Sequence, residues 1–438
     1  MTVIRPNSIS GINSITAQTS ALNFYDSAGA TLSIGASVTG NITGNVTGNV
    51  TGDVTGNLTG DINAGIITAT TITGVSTIGV TTVTATNLTV NGNAYPTAGP
   101  LSNRNLIING AMNVAQRGTQ ITGASSVDNY YVCDRFTLVP SSLGTWTIDQ
   151  SSDSPNGFNN SLKITCTTAD PSPSAGDNVQ ILYKIEAQDL QCLSYGNSDA
   201  KAAILSFWVK SNKTGNATVE FFQSDNSNRM LSKEYTINSA DTWEYKTISI
   251  PADTSGLFND DNGLGMEIGF WLNTGSNFTS GSLKTVWGSY SAGSRNPSNL
   301  GVGGAISDYF AITGLQLEVG EVATPFEHRS YGDELARCQR YCQRFTKIHA
   351  SGTVANSTET WHPYTFPVAF RASPTLTVNA LGNVVKEGTN WYPNTAISLN
   401  DESQFNTVIK CTQSNNNMVA TNSTRLGQGC DLTFSAEF

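Results

Sequence analysis

The sequence predicts an all-β protein that assembles as an elongated homotrimer. Charged residues make up 13% of the 438 residues, whereas soluble globular proteins contain about 25%. Thr, Ser, Asn and Gly take their place, and these residues favour strands and turns over helices. A tetrapeptide repeat fills residues 40–61, and strand-like runs separated by turn clusters fill most of the remainder. These observations predict a trimeric β-stalk followed by β-domains.

The composition argues against several classes of partner. The 23 basic and 33 acidic residues give a formal charge of −10, which would repel a polyanion such as DNA. The seven cysteines form an odd number without the paired spacing of zinc sites, which predicts reduced thiols. The first residues lack a secretion-signal pattern, and no run of about 18 apolar residues occurs. We therefore expect synthesis in a cytoplasm, with no nucleic acid partner and no membrane insertion.

The repeat Gly-Asn-Val-Thr has a period of four, and its apolar positions are Ile42, Val46, Val50, Val54, Leu58 and Ile62. Four is a multiple of two, so in an extended chain these side chains share one face. One apolar residue in four cannot form a core within one chain, but three identical chains can each supply one residue per layer. Residues 36–100 are therefore predicted to form an intertwined homotrimeric β-stalk with these six residues on the trimer axis. A flexible Gly/Thr linker is the alternative.

A cluster of turn-forming residues at 95–100 precedes a change in composition, which places a domain boundary there. Residues 101–330 contain many short strand-like runs, the first at residues 106–116, and their spacing predicts a jelly-roll or two-sheet β-sandwich. Trp208, Trp243 and Trp271 lie within such runs and are expected in the core.

One short helix is predicted, from residue 333 to about residue 345, within a connecting segment at 331–346. Ser330 is suited to cap it, and acidic residues occupy its first turn. The apolar residues of this helix have the spacing of a helix seam: Leu335, Cys338, Cys342 and Phe345. Three such helices could meet on the trimer axis, or the helix could pack on the preceding sandwich. Residues 347–438 alternate strand-like runs with Asn-rich turns and predict a second, small C-terminal β-sandwich.

The sequence lacks the usual signatures of catalysis. The three histidines are far apart, and no nucleophile-elbow, phosphate-loop or His-Glu-x-x-His motif occurs. Asp260 and Asp261 resemble a carboxylate pair for glycoside hydrolysis, but an Asp-Asp-Asn-Gly sequence is more typical of a turn. We expect no enzymatic activity and no cofactor, and a structural calcium ion is left open.

Aromatic residues in the last domain suggest a binding surface. Sugars are held by stacking on exposed aromatic rings and by polar side chains in loops. The candidate ligand-binding residues occur in Pro-rich, Asn-rich or Gly-rich stretches and are Trp361, His362, Tyr364, Trp391 and Tyr392.

Several motifs resemble known families. The opening Thr-Val-Ile-Arg-Pro-Asn-Ser-Ile-Ser-Gly-Ile, the segment Leu-Asn-Phe-Tyr-Asp at residues 22–26 and the Gly-Asn-Val-Thr array look like tail-fibre proteins of phages that infect marine cyanobacteria. Further motifs resemble a phage-fibre module that is similar to jelly-roll carbohydrate-binding domains: Asn-Leu-Ile-Ile-Asn-Gly-Ala-Met at 105–112, Asp-Arg-Phe at 134–136, Leu-Gln-Leu-Glu-Val-Gly at 315–320 and Ala-Thr-Pro-Phe-Glu at 323–327. The segments at 329–335 and 338–341 belong to the same resemblance, which covers residues 1 to about 345.

The resemblance implies a trimeric virion tail appendage. Residues 1–35 would attach it to other tail or baseplate proteins, and residues 347–438 would form the distal tip that meets a host surface polysaccharide or lipopolysaccharide. Such proteins assemble in the host cytosol, in keeping with unpaired thiols. Two alternatives stay open: a tailspike-type polysaccharide depolymerase, and a purely structural collar, baseplate or whisker component.

Overall fold

The structure, a computed structural model, describes residues 88–90, 93–95, 102–125, 130–225, 228–382, 385–387, 390–414, 418–420, 422–427 and 429–438. The chain divides into two compact units, residues 1–79 and 80–438, and every described residue belongs to the second. Strands β1 (Leu88–Val90) and β2 (Asn93–Tyr95) form an antiparallel pair. The predicted attachment segment at 1–35 and the axial stalk residues lie outside the described residues: Ile42, Val46, Val50, Val54, Leu58 and Ile62.

Two antiparallel sheets form a β-sandwich, and the chain crosses between them repeatedly, as in a jelly roll. Its strands are β3 (Gln120–Ala124), β4 (Tyr130–Tyr131), β5 (Phe136–Ser141), β6 (Thr145–Ser151), β7 (Ser161–Thr168), β8 (Asn178–Glu186), β9 (Ala203–Ser211), β10 (Gly215–Gln223), β11 (Arg229–Ile237), β12 (Glu244–Ile250), β13 (Leu264–Thr274), β14 (Gly288–Ser289) and β15 (Tyr309–Val319). Sheet I has the order β14-β11-β10-β13-β8-β5-β4, and sheet II has the order β12-β9-β15-β7-β6-β3. The predicted β-sandwich is confirmed. Its connections contain helix α1 (Ser276–Thr279) and the 3₁₀ helices Ala187–Leu193 and Ala292–Ser294.

The sandwich core is filled by alternate residues of the two sheets. In β9, Phe207 and Val209 face the core, so the intervening Trp208 faces outward and is half-buried. Trp243 precedes β12 and is also half-buried, so the prediction that these two residues are core is wrong. Trp271 is fully buried, as predicted, and its indole nitrogen donates a hydrogen bond to the buried carboxylate of Glu220 at 3.0 Å.

The first predicted strand, residues 106–116, is a buried irregular segment. Asn109 and Met112 adopt φ values of 62° and 57°, which no strand accommodates. The Asn109 amide donates to the carbonyls of Val114 and Asp134, at 2.8 and 2.9 Å. Side-chain hydrogen bonds therefore satisfy backbone groups that a strand partner would otherwise pair.

Helix α2 (Tyr331–Gln339) begins two residues before the predicted start but has the predicted cap, since the Ser330 hydroxyl accepts a hydrogen bond from the amide of Asp333 at 3.2 Å. It ends six residues earlier than predicted, because residues from Cys342 onwards form a strand that pairs with the end of the chain. A continuous helix seam through Leu335, Cys338, Cys342 and Phe345 is therefore wrong.

Each residue of the predicted seam packs within its own chain. Cys338 lies in a buried cluster with Ile108, Val114 and Tyr341, and Leu335 packs against that cluster. Cys342 is fully buried, and the Phe345 ring centre lies 5.9 Å from that of Phe434. Their placement supports the alternative in which this segment packs on neighbouring domains of the same chain.

The last domain consists of two further antiparallel sheets around a second core. Its strands are β16 (Cys342–Phe345), β17 (Ala350–Asn356), β18 (Glu359–Thr365), β19 (Thr375–Ala380), β20 (Val385–Glu387), β21 (Asn390–Tyr392), β22 (Asn394–Asn400), β23 (Asn406–Gln413), β24 (Ser423–Leu426) and β25 (Asp431–Ser435). Sheet III has the order β16-β25-β19, and sheet IV has the order β21-β20-β24-β17-β18-β23-β22. Side chains of both sheets share the core, which makes this domain a small β-sandwich.

Ion pairs and aromatic contacts join the two domains. The fully buried carboxylate of Glu186, at the end of β8, accepts two hydrogen bonds from Arg340, at 2.8 and 2.7 Å, and one from the Tyr341 hydroxyl. Burial by itself raises the pKa of Glu186, but these hydrogen bonds outweigh it and lower that pKa. Arg135, in the turn before β5, pairs with Glu437 near the end of the chain.

A second set of contacts surrounds the last residues. The guanidinium of Arg371 lies 3.8 Å from the centre of the Phe438 ring and donates to the carbonyl oxygen of Asn262 at 2.9 Å. The amide of Ala436 donates to the carbonyl oxygen of Tyr341 at 2.8 Å. The end of the chain is thus held between the sandwich and the start of the last domain.

Candidate functional site

Strand register brings two distant tryptophans to one face of sheet IV. Trp361 in β18 is opposite Thr353 in β17, and Thr353 is opposite Ser423 in β24. Two residues further along β24, Arg425 aligns with residue 386 of β20, which is opposite Trp391 of β21. Because cross-strand partners and alternate residues share a face, Trp361 and Trp391 point to the same side.

This side of sheet IV is open to solvent. Trp361 and Trp391 are 43% and 47% exposed, far more than a tryptophan in a domain core. We call this surface the tryptophan face, and it comprises Ser351, Thr353, Trp361, Trp391, Lys410, Ser423 and Arg425. Four strand spacings of about 4.8 Å and an offset of two residues separate the two tryptophans by roughly 20 Å.

Charged groups lie next to Trp361 on the tryptophan face. Lys410 is the cross-strand partner of Trp361, and its ammonium lies 2.8 Å from the carboxylate of Glu359. The hydrogen bond from Lys410, with one from Asn356, lowers the pKa of Glu359. The carboxylate is therefore ionised at neutral pH. The surface beside the indole thus offers a cation and an anion as hydrogen-bonding groups.

His362, a predicted ligand-binding residue, faces the opposite way. It follows Trp361 in β18, is fully buried, and its ring nitrogens lie 3.1 Å from the carbonyl oxygen of Ala350 and 3.1 Å from the hydroxyl of Thr360. Burial lowers the pKa of the imidazole, and the hydrogen bond to Ala350 raises that pKa by a smaller amount. The lowered pKa favours a neutral ring. His362 is a core residue and is not accessible to a ligand.

Tyr364 is half-buried against the core of the last domain, and Tyr392 is buried. The Tyr364 ring is stacked on Phe434 at 6.4 Å and contacts Phe345 edge-on at 5.4 Å. Tyr392 is 8% exposed and clusters with Val354 and Met418. Of the five predicted residues, the structure therefore brings together only Trp361 and Trp391 on an accessible surface.

Gly352 fixes the close approach of β17 and β18 beneath this surface. A methyl group on its Cα would lie 2.1 Å from the carbonyl oxygen of Trp361 and 2.6 Å from Nδ1 of His362. Only glycine fits without displacing the strand that carries Trp361. Gly352, Lys410 and Arg425 were not identified from the sequence, because their relation to Trp361 depends on pairing between strands distant in sequence.

The sandwich carries a second group of outward-facing aromatic residues. Trp208 and Tyr245 are cross-strand partners on the outer side of sheet II, with ring centres 5.4 Å apart, and Tyr245 is 44% exposed. Nearby, the indole nitrogen of Trp243 donates to the carboxylate of Asp153 at 3.0 Å, and Lys210 donates to the same carboxylate at 2.9 Å. Trp208 is less accessible than either tryptophan of sheet IV.

The described residues offer little for metal or membrane chemistry. They contain no group of three or more His, Cys, Asp or Glu suited to hold a metal. Asp261 instead accepts a hydrogen bond from the amide of Gly263 at 2.8 Å, as expected of a turn. No described helix combines the length and hydropathy that a membrane crossing requires. All seven cysteines are free thiols, and only Cys192 is exposed.

No protein-family model matches this chain, and no curated protein matches it. Solved structures show weak similarity. The enzymatically active domain of tailspike protein 4 of bacteriophage CBA120 is 13% identical with a TM-score of 0.26, and the match covers 49% of this chain and 21% of that one. This chain therefore matches about a fifth of the length of that tailspike domain.

Two other solved structures align over about half of this chain. A putative sugar binding protein from Bacteroides thetaiotaomicron is 12% identical with a TM-score of 0.27, covering 49% of this chain and all (100%) of that one. A family 11 carbohydrate-binding module from Clostridium thermocellum, in complex with a mixed-linked tetrasaccharide, is 12% identical with a TM-score of 0.24, covering 48% and 99%. TM-scores this low do not establish a shared fold, so the β-sandwich assignment is based on the strand order of this chain itself.

Proposed function

We propose that this chain is a non-enzymatic tail-fibre protein that attaches a virion to its host by binding a cell-surface polysaccharide or lipopolysaccharide through the tryptophan face. The observation that carries the proposal is the placement of Trp361 and Trp391 on one exposed face of sheet IV. Exposed indoles on a flat, polar surface are suited to stack on the apolar faces of sugar rings.

The spacing of the two indoles favours a polymer over a single sugar. A separation of roughly 20 Å, from strand spacings and offset, exceeds the size of one ring, so one chain of linked sugars would have to reach both. The hydroxyls of Ser351, Thr353 and Ser423 lie on the strands between the two tryptophans. They supply hydrogen-bond donors and acceptors along the path of such a chain.

Charge at the tryptophan face is suited to acidic surface glycans. Lys410 and Arg425 both lie on this face, whereas the net charge of the whole chain is −10. A guanidinium can bind carboxylate and phosphate groups bidentately, and Glu359 can accept from sugar hydroxyls. We therefore expect preference for glycans that carry carboxylate or phosphate groups.

The virion context is supported by the resemblance of residues 1 to about 345 to phage tail fibres. In this proposal the protein is made in the host cytoplasm and assembles as a homotrimer. It joins other tail or baseplate proteins through its N-terminal residues and presents residues 347–438 at the tip. Weak binding at each tip would be multiplied by several copies on one particle.

The test is binding of the purified full-length chain to surface polysaccharides and lipopolysaccharides extracted from marine cyanobacteria, with analysis of the sugar afterwards. We expect saturable binding and unchanged sugar length. Trp361→Ala and Trp391→Ala should each weaken binding about tenfold or more, since truncating an aromatic contact at the centre of a binding surface costs roughly 1.4 kcal/mol or more. Phe405→Ala, at a residue 61% exposed in the same domain, is the matched control and should bind normally.

The other outcomes separate the alternatives. Loss of binding in Trp208→Ala with retention in Trp361→Ala would move the site to the outer side of sheet II. Shortened sugar after incubation would indicate a depolymerase. No binding to any of these glycans, by a chain verified to be folded, would favour a structural component of the tail.

A further inference from the structure

The last domain has two long strand edges that lie side by side. β19 is an end strand of sheet III, and β22 is an end strand of sheet IV. Within the described part of the chain, neither pairs with a strand on its outer side. Between them lies a groove of about 530 Å³, which is lined by residues 373–376, residues 397–399 and Glu402. We call this region the open side.

Several other sheet edges among the described residues are short, charged or covered. Sheet I ends in strands of two residues each, β14 and β4. The end strand β12 of sheet II carries Glu244 and Lys246. The edge of β16 is covered, since the side chain of Gln116 donates to the carbonyl oxygen of Cys342 at 2.6 Å. Short strands, charges and covering groups are the usual ways in which proteins prevent edge-to-edge association.

β19 and β22 are neither short nor charged, and each contains one register shift near an end of the strand. They contain six and seven residues, Thr-Leu-Thr-Val-Asn-Ala and Asn-Thr-Ala-Ile-Ser-Leu-Asn, with no charged residue in either. In β19, Leu376 and Val378 pack against the core, which holds the strand in place, and no described strand pairs with its outer side. A long, uncharged and fixed edge is a template for another strand.

We propose that the open side docks onto a second copy of this chain, with β19 of one copy pairing with β22 of the next. Neither strand carries a charged residue, so the two paired strands themselves do not repel each other. The period-four repeat at residues 40–61 predicts that identical chains are held together, which raises the local concentration of their last domains. A contact between two different edges is heterologous, and it closes into a ring when three copies are related by threefold rotation.

This contact would leave the tryptophan face free. The face lies on the flat side of sheet IV, whereas docking uses the edge of that sheet, and the two directions are perpendicular. The ring would therefore present three tryptophan faces outward. Pairing between β19 and β22 does not require a glycan. The copies can therefore fail to pair in this way while the tryptophan face still binds glycan, and they can pair in this way while the face binds none.

The experiment is site-specific photo-crosslinking in the full-length chain, with p-benzoylphenylalanine in place of Thr377 in β19. The control position is Ser423 on the tryptophan face, and both residues are exposed in the single chain. We expect crosslinked products of two- and three-chain mass at Thr377, at least tenfold more than at Ser423. Only single-chain mass at Thr377, or equal yields at the two positions, would overturn the proposal.

A charge placed on the opposite edge gives a second test. Ser398→Lys, at an exposed position of β22, should reduce crosslinking from position 377 at least tenfold, since an edge lysine opposes strand pairing. Ser239→Lys, at an exposed position of the sandwich, should leave the yield unchanged. Equal yields in the two lysine variants would show that β22 is not the docking partner and would contradict the proposal.

Discussion

The guanidinium of Arg135 lies 3.4 Å from the centre of the Tyr341 ring. Arg135 belongs to the sandwich and Tyr341 to the start of the last domain, so this contact crosses the junction between them. Tyr341 also donates its hydroxyl hydrogen to the buried Glu186. The cation of Arg135, the ring of Tyr341 and the carboxylate of Glu186 thus lie in a row across the junction. The stability of the junction should therefore depend on the charges of these groups.

Removing the cation beside Glu186 should strongly destabilise the protein. Arg340→Ala leaves a carboxylate that is fully buried with hydrogen bonds only from Tyr341 and Gln188, and an uncompensated buried charge costs about 3 kcal/mol or more. Arg337→Ala, on the exposed side of α2, should change the free energy of unfolding by less than about 0.5 kcal/mol. Urea unfolding of both variants tests this, and similar values for the two would contradict it.

The stability of the junction should depend on pH through Asp134. Burial raises the pKa of Asp134 to about 6, against the opposing attraction of Arg117, whereas an unfolded aspartate titrates near 3.9. The folded state therefore binds the proton more tightly. The resulting stabilisation is complete below about pH 4 and is lost as the pH rises through about 6.

The measurement is the free energy of unfolding of the wild type and of Asp134→Asn from pH 4 to pH 7. Relative to that of the variant, the free energy of unfolding of the wild type should fall by on the order of 2 to 3 kcal/mol from pH 4 to pH 7. A difference between the two proteins that is independent of pH would show that Asp134 does not titrate there.

Two neighbouring residues of β18 should give opposite phenotypes. Trp361→Ala removes an exposed ring and should change stability by less than about 1 kcal/mol while it abolishes most glycan binding. His362→Ala leaves a cavity and unpaired partners at Ala350 and Thr360, which should cost about 2 kcal/mol or more. Thermal unfolding together with binding assays separates the two effects. Equal loss of stability would show that Trp361 is part of the core.

The close approach of β17 and β18 should not tolerate a methyl group. Gly352→Ala places a Cβ 2.1 Å from the carbonyl oxygen of Trp361, so we expect a loss of about 2 kcal/mol or more, as for other overpacked sites. Gly332→Ala is the matched control, since this glycine is in helix α2 and a Cβ added to it would meet no neighbouring atom within 4 Å. It should be neutral or stabilise by up to about 1 kcal/mol. Denaturant midpoints of the two variants measure the difference.

The sandwich could be predicted from the sequence because its strands are marked by local alternation and turn residues. The segment around Asn109 could not, since its conformation depends on hydrogen bonds to Asp134 and Val114 that composition does not reveal. The end of α2 was missed for a similar reason. Its helical spacing continues to Phe345, but pairing with β25, far along the chain, takes Cys342 to Phe345 into a strand.

The candidate site was predicted only in part. Composition marked residues 361–364 and 391–392 as loops, and the exposure of Trp361 and Trp391 agrees with that view, yet both stretches are strands. Alternation then turns His362 and Tyr392 inward. The face shared by the two tryptophans follows from strand order in sheet IV, which local sequence does not encode.

The neighbouring positions of β16 and β25 determine how the last domain responds to pulling. Residue 342 begins β16 beside residue 435, which ends β25, so both tethers to the sandwich leave the domain at one end. One tether is the covalent chain, and the other is the set of contacts made by residues 436–438. A tensile load draws these two strands in the same direction, so the ladder between them carries little shear, and the shear falls on the ladder between β25 and β19.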